Sequence, residues 1–181
     1  MMGRGIRQTK VVAMIEIGVA GARNSGKTTL IEKLVPELLA RGAKVATIKH
    51  TNHDHAFDAE GKDSYRHRRA GAGLTVAVSD TELALFAPPD RRYLERINEL
   101  IAACFDICLV EGDKRSDRAK LFLTRDMENL GATVPDNIIA TIGAKPYLPE
   151  LLHFRLDEIV PLSEFIMERC HAVNSGSANH A

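Results

Sequence analysis

"MIEIGVAGARNSGKTTLIEKL", Met14 to Leu34, decides how the rest of the chain is read. Its first seven residues are almost all apolar, the composition of a strand buried on both faces. Gly21-Ala-Arg-Asn-Ser-Gly26-Lys27-Thr28 then fits G-x-x-x-x-G-K-[ST] in full. From Lys27 to Ala40 the apolar residues Leu30, Ile31, Leu34, Val35, Leu38 and Leu39 recur at helical spacing. Strand, glycine loop and helix in that order make a phosphate cradle. The glycines let successive N–H groups turn toward one anion, and the helix start adds unpaired donors and the positive end of its dipole. Lys27 is placed to reach the β- and γ-phosphates, and Thr28 to offer its hydroxyl to Mg²⁺.

Working outward, Pro36 should bend the helix, because its ring removes a backbone donor, and Gly42 should end it. "AKVATIK" (43–49) reads as a second strand, so the first fifty residues spell a parallel α/β unit. "GLTVAVSDTELALFA" (73–87) alternates around Ser79-Asp80 as a β-hairpin does. A helix follows, with Asp90 as its N-cap and Leu94, Ile97, Ile101 and Phe105 on one face. "DICLVEG" (106–112), "AKLFLTR" (119–125) and "NIIATIG" (137–143) read as further strands, and "LSEFIMERC" (162–170) as a closing helix. The fold class expected is α/β: a three-layer phosphate-loop NTPase fold, with a mostly parallel sheet and an added hairpin. Residues 14–172 form its single nucleotide-binding domain, 1–13 a flexible extension and 173–181 a disordered tail.

Bulk composition narrows the function classes. The 181 residues carry 24 basic and 24 acidic side chains, a formal net charge of zero. That balance gives no general attraction to nucleic acid or to an anionic membrane. "MMGRGIRQTK" and the apolar run after it imitate a secretory leader, but Glu16 interrupts the run, and cleavage would remove the strand that carries the loop. No segment approaches the roughly 20 apolar residues that cross a bilayer. Cys104, Cys108 and Cys170 lack paired metal-ligand spacing, and Cys104 and Cys108, flanking a helix end and a strand, read as buried reduced thiols, at home in the cytoplasm.

A phosphate-loop enzyme also needs an acid near the metal, at a neighbouring strand end. Glu111, closing "DICLV" and followed by Gly112, meets that need as a Mg²⁺ or water-orienting group. Asp106 lies at the wrong end of the strand, and Asp113 has a weaker case. "KHTNHDHAFDAEGKDSYRHRRAGAG" (49–73) follows the second strand, at the sheet edge where α/β proteins bind ligands. Its histidines and Asp54 and Asp58 fit a polar switch-like loop better than a structural zinc site. Lys62, Arg66, Arg68 and Arg69 make a short basic helix, either a solvated face or an anion receptor. The guanine-reading Asn/Thr-Lys-x-Asp motif is absent: "TRDM" at Thr124 has Arg125 and Met127 in its key places.

Taken in order, "NSGKTTL", "IKHTNHD", "FDAEGKDSYRHRRAGA" and "LVEGDK" resemble the molybdopterin-guanine dinucleotide biosynthesis adaptor proteins (MobB), over roughly Ile15 to Ala144. The Lys49-His50 pair and "GKDS" (61–64) are more specific to that family than the phosphate loop is. The resemblance implies a GTP-binding, weakly hydrolysing protein. It would assist the nucleotidyltransferase that attaches GMP to molybdopterin, and form a homodimer joined through an extended sheet. Molybdopterin itself becomes a further ligand to expect. By position, Gly21 and Asn24, Ser25, Gly26, Lys27, Thr28 and Thr29 would serve phosphates and Mg²⁺. Lys49, His50, His53, Asp58, Lys62 and Asp63 would line the adjoining groove, and Glu111-Gly112 match the family's strand-end pair. One departure is Asp113, where the family usually has an aromatic residue. Two rival readings stand beside the adaptor: a small phosphate-loop kinase, and a GTP-driven metallochaperone with the histidine loop as its metal port.

Overall fold

The structure is a computed structural model and describes residues 13–51, 57–124 and 134–176. The chain divides into two compact units, one formed by residues up to 50 and from 101 onward, the other by residues 51–100.

The first unit is a six-stranded sheet with helices. Its strands are β1 (Ile15–Gly21), β2 (Val45–Lys49), β5 (Ile107–Glu111), β6 (Ala119–Leu123), β7 (Ile138–Ile142) and the short β8 (His153–Phe154). They lie in the order β2-β5-β1-β6-β7-β8, and every pairing is parallel. The two central strands explain their own composition. Alternation sends Ile17 and Val19 of β1 to one face and Glu16, Gly18 and Ala20 to the other. Each face is covered, so the strands read as nearly continuous apolar runs.

Helices α1 (Lys27–Ala40) and α4 (Ile159–Gly176) share one face of this sheet. Leu30, Leu34 and Leu38 of α1 and Leu162, Ile166 and Cys170 of α4 meet Ile17, Val19, Leu109, Leu121 and Ile142 in one core. Leu39, expected on the buried stripe, is exposed, because it lies one step of the helix around from Leu38. α1 is continuous through Pro36. It ends in a Schellman pair of bonds, Gly42 N to Leu39 O (2.9 Å) and Ala43 N to Leu38 O (3.2 Å). α4 is longer than the stretch 162–170 at both ends. Asp106, at the entrance of β5, accepts a bond from Lys44 N (2.7 Å), a structural task at the end far from the glycine loop.

The second unit holds α2 (Asp63–Arg69), the antiparallel hairpin of β3 (Thr75–Val78) and β4 (Leu83–Phe86), and most of α3 (Arg91–Cys104). Ser79 closes the hairpin: its Oγ accepts from the backbone of Thr81 and Glu82. Asp90 caps α3 through Arg92 N at 2.8 Å, as its sequence position predicts. The apolar face of α3 is not buried: Leu94, Ile97 and Leu100 are exposed. Cys104 is exposed as well, which corrects the expectation of a buried thiol. Cys108 and Cys170 are buried, and burial, with Glu16 nearby, pushes the Cys108 thiol up to about 11. Among the described residues no helix is long and apolar enough to cross a membrane.

Candidate functional site

The glycine loop leaves β1 at Gly21 and enters α1 at Lys27. Space forces the first glycine. A Cβ at Gly21 would stand 2.6 Å from Ser25 Oγ and 3.0 Å from Leu123 Cβ and O. Asn24 (φ 60°) and Gly26 (φ 97°) take left-handed conformations, which turn the chain into the helix without a side-chain cap. An uncapped helix start leaves its first N–H groups for a ligand. Ser25 is buried, and its Oγ has no hydrogen-bond partner.

Lys27 bends back over this loop. Its Nζ donates to the carbonyls of Ala22 (2.5 Å) and Gly21 (3.3 Å). Burial holds the Lys27 pKa below the ordinary lysine value; Glu111 opposes that shift, and Lys114 and Lys49 add to it. Thr28, one residue on, donates from Oγ1 to Glu111 Oε1 (3.0 Å) and Oε2 (3.2 Å). Lys49 Nζ, at the end of β2, lies 3.6 Å from Glu111 Oε1. Among the described residues, Glu111 is the carboxylate that the Thr28 hydroxyl and Lys49 share.

The parallel register produces this convergence. Lys49 pairs with Glu111, so β2 and β5 finish at one level, and β1, whose Val19 pairs with Glu111, runs two residues further to Gly21. His50 continues the alignment, its N–H donating to Glu111 O at 2.8 Å. Gly112 follows with φ 94°, and a Cβ there would stand 2.5 Å from His50 O. Glycine is therefore required on two counts, conformation and space. Of the residues singled out from the sequence, Gly21, Asn24, Ser25, Gly26, Lys27, Thr28, Lys49, His50, Glu111 and Gly112 belong to this one cluster, with Thr29 exposed on the first turn of α1.

Asp58, Lys62 and Asp63 belong to the other unit. There Asp58 is buried, accepts from Ser64 Oγ at 2.9 Å and pairs with Arg68 Nε at 3.3 Å. Arg68 also lies over the rings of Tyr65 and Phe86, at 6.0 and 5.6 Å from their centroids. Its charge already has partners, so the open cations of α2 are Arg69 and, beside Asp63 at 3.5 Å, Arg66. Lys62 is exposed at the start of the helix. His53, with Asp54 and His55, falls outside the described residues. Among the described residues no group of three His, Cys, Asp or Glu side chains gathers as a metal site. Thr124, where the incomplete guanine motif begins, donates to Ile142 O at 3.2 Å, and Arg125 and Met127 lie outside the described residues.

Sequence reasoning missed a set of charges beside this cluster. Asp113 Oδ2 accepts from Arg118 Nη1 at 2.6 Å, and Arg118 also pairs with Glu16 of β1. Lys120 is fully buried in β6. The available signal was a lysine inside an otherwise apolar strand, "AKLFL".

Comparison with known proteins supplies a family. Residues 16–144 match the family model described as "Molybdopterin guanine dinucleotide synthesis protein B". The chain is 34% identical over 161 residues to the molybdopterin-guanine dinucleotide biosynthesis adapter protein of Escherichia coli (84% of this chain, 91% of that one). It is 32% identical over 160 residues to the protein so named in Haemophilus influenzae (86% and 89%). Among solved structures, Bacillus subtilis MobB superposes with a TM-score of 0.70 at 28% identity, covering 86% of this chain and 97% of that one. The MobB homolog of Bacillus stearothermophilus gives 0.61 at 27% identity, with 87% and 98% covered.

Proposed function

The chain belongs to the molybdopterin guanine dinucleotide synthesis protein B family, and from that premise we propose that it is an adaptor in the biosynthesis of that dinucleotide, working by binding GTP with Mg²⁺ at the glycine loop. The observation that carries the reading is Lys27 resting on the carbonyls of Gly21 and Ala22. A cation held by weak local acceptors, beside free helix N–H groups, is ready to exchange them for phosphate oxygens.

Thr28 Oγ1 and the Glu111 carboxylate fit a hard cation: both are oxygen donors, and they already meet at 3.0 Å. Together they would hold Mg²⁺, which supplies charge neutralisation for the phosphates when bound. Lys49, now paired with Glu111, is free to turn to the same phosphates. Hydrolysis in this reading is slow. Among the described residues of the cluster Glu111 is the acid able to orient a water, and that role competes with its hold on Thr28 and Lys49.

Holding the nucleotide serves a partner. The exposed hairpin offers apolar Val76, Val78, Leu83 and Leu85, and a two-stranded sheet is only marginally stable alone. A second copy of the chain would extend it, giving a homodimer. The client is a molybdopterin nucleotidyltransferase or the molybdopterin it carries, met in the cytoplasm.

The test is calorimetry with GTP and Mg²⁺, followed by a nucleotidyltransferase assay. Lys27→Ala should cost about 2–4 kcal/mol of affinity, the usual loss when one partner of a buried charge pair is removed. The wild-type protein with GTP should raise the yield of guanine-dinucleotide cofactor. Unchanged affinity in a folded Lys27→Ala protein rules out the glycine loop as the triphosphate site. Normal binding without any effect on the transferase rules out the adaptor role.

A further inference from the structure

The glycine loop has two flanks, and the residues proposed for metal and terminal phosphates lie on one of them. Thr28, Lys49 and Glu111 gather toward β5 and β2, on one side of β1. The ends of β6, β7 and β8 lie on the other side. A nucleoside triphosphate is a linear chain, so its base runs away from the metal, toward those strands, along the carboxyl edge of the sheet. The contacts of Gly26 identify what stands there. A Cβ at Gly26 would lie 3.8 Å from Leu156 Cδ2 and 3.9 Å from Leu123 Cδ2. Leu123 ends β6, and Leu156 follows the end of β8. Leu156 also packs against the core, so the turn after β8 is held beside the loop.

That turn is braced at both ends. Gly143 N donates to Phe154 O at 3.0 Å, tying the end of β7 to the end of β8. Arg155 N donates to Glu158 Oε2 at 2.7 Å, and Glu158 N donates to Arg155 O at 3.1 Å, closing the turn that leads into α4. Leu156 is half-buried against Gly26, while its two neighbours, Arg155 and Asp157, are exposed. They pair with each other: Arg155 Nε lies 3.2 Å from Asp157 Oδ1, and Nη2 lies 3.5 Å from Oδ2. An exposed pair of this kind adds little to stability. With 71% of its side chain exposed, Asp157 keeps lone pairs open to a ligand.

An open carboxylate beside a phosphate loop matches one purine and opposes the other. Guanine presents two donors side by side, N1–H and N2–H, which the two oxygens of a carboxylate accept together. Adenine presents an acceptor at N1, which would meet a carboxylate lone pair to lone pair. We infer that Asp157 is the residue that reads guanine, at a base subsite beside the glycine loop, with Arg155 orienting its carboxylate. It supplies the acid that the incomplete motif at Thr124 lacks, from the turn after β8 instead. The inference rests on the GTP site proposed above.

Titration calorimetry with Mg²⁺ tests it on the full chain and its Asp157→Asn variant, using GTP, ATP, xanthosine triphosphate and inorganic triphosphate. The wild-type protein should prefer GTP to ATP. Asp157→Asn should weaken GTP about 10- to 100-fold, the discrimination carried by one bidentate base contact. Inorganic triphosphate has no base, so its affinity should stay within about 2-fold, as for independent sites. The variant should also gain affinity for xanthosine triphosphate, because an amide keeps an acceptor for N1–H and adds a donor for the 2-oxo group. Unchanged GTP affinity in Asp157→Asn overturns the inference and leaves Arg155 and Asp157 a solvated ion pair only. Equal losses of GTP and inorganic triphosphate overturn it too, since the residue would then act on the loop and not on the base. A wild-type protein that binds GTP, ATP and inorganic triphosphate alike removes the base subsite and leaves the phosphate loop standing. A wild-type protein that binds none of the four removes the glycine-loop reading, and this inference with it.

Discussion

The two compact units of this chain are built to opposite standards. In the sheet unit, Leu30, Leu34, Leu38, Ile107, Leu109, Leu121 and Leu162 are wholly buried. In the unit of residues 51–100, the buried side chains among the described residues are Asp58 and Thr75, both polar, while Leu74, Val76, Val78, Leu83, Leu85, Leu94, Ile97 and Leu100 are exposed. One unit has a core. The other has a polar tie, Asp58 with Ser64 and Arg68, and among its described residues an exposed apolar surface. Apolar patches of that extent mark interaction surfaces. Under the proposed function the contrast divides the work between the units: nucleotide binding would need strand ends held in register by a dry core, and docking would need apolar area kept available.

The largest expected effect addresses the core directly. Leu34→Ala should lower unfolding free energy by about 2–5 kcal/mol, the range for a buried leucine that leaves a cavity. Leu94→Ala should cost under about 1 kcal/mol at low protein concentration, as exposed positions do. Urea unfolding of both proteins decides the matter, and equal losses would break the contrast. If a second copy covers α3, the Leu94→Ala loss should grow with protein concentration, because association adds to apparent stability.

The next effect sharpens the docking side. Val76→Glu combined with Leu85→Lys places charge on the exposed hairpin, where Val76 pairs with Leu85. Light scattering at micromolar concentration should then fall from about twice the chain mass to the chain mass, the way charged edges prevent sheet extension. Both proteins with the same mass would remove the hairpin from the proposed dimer.

The smallest effect separates the units by their cations. The proposed phosphate site draws on lysines, whereas α2 presents arginines, which do not lose their proton in the working range. Burial holds the Lys27 pKa down, and Lys114 and Lys49 reinforce the shift against Glu111. A bound triphosphate favours the charged lysine, so affinity is full at pH values below the lowered pKa and is lost as pH rises through it. Binding of inorganic triphosphate with Mg²⁺ should thus begin to weaken before the usual lysine range near 10.4, with a limiting slope of about tenfold per pH unit. A flat profile would shift the anion site from lysine to arginine.

Much of the cluster was legible in the linear sequence for a simple reason. Gly21 to Thr28 are neighbours in the chain, and the chemistry of a turn that opens a helix is local. Glu111 was legible because an apolar run ending in an acid has one meaning in a parallel sheet: its end faces the same edge as the loop. Lys120 escaped because its role depends on three carbonyls contributed by residues 116, 118 and 136, whose approach follows from strand order. Arg68 was misjudged for the same reason. Its sequence neighbours make it one basic residue among several, and only the fold puts Asp58 and Phe86 against it.

By itself, the sequence determined the α/β class, the strand–loop–helix unit, the parallel strands and the hairpin, because periodicity, glycine placement and capping act over a few residues. It also determined the family, through motifs whose order survives as text. Only the tertiary structure decided the strand order β2-β5-β1-β6-β7-β8, which brings Thr28, Lys49 and Glu111 to one edge. It alone decided that the apolar stripe of α3 stays exposed while that of α1 is buried. The same helical spacing serves either fate, since a stripe records only that apolar area will be covered. What covers it depends on which surfaces the rest of the chain has already used.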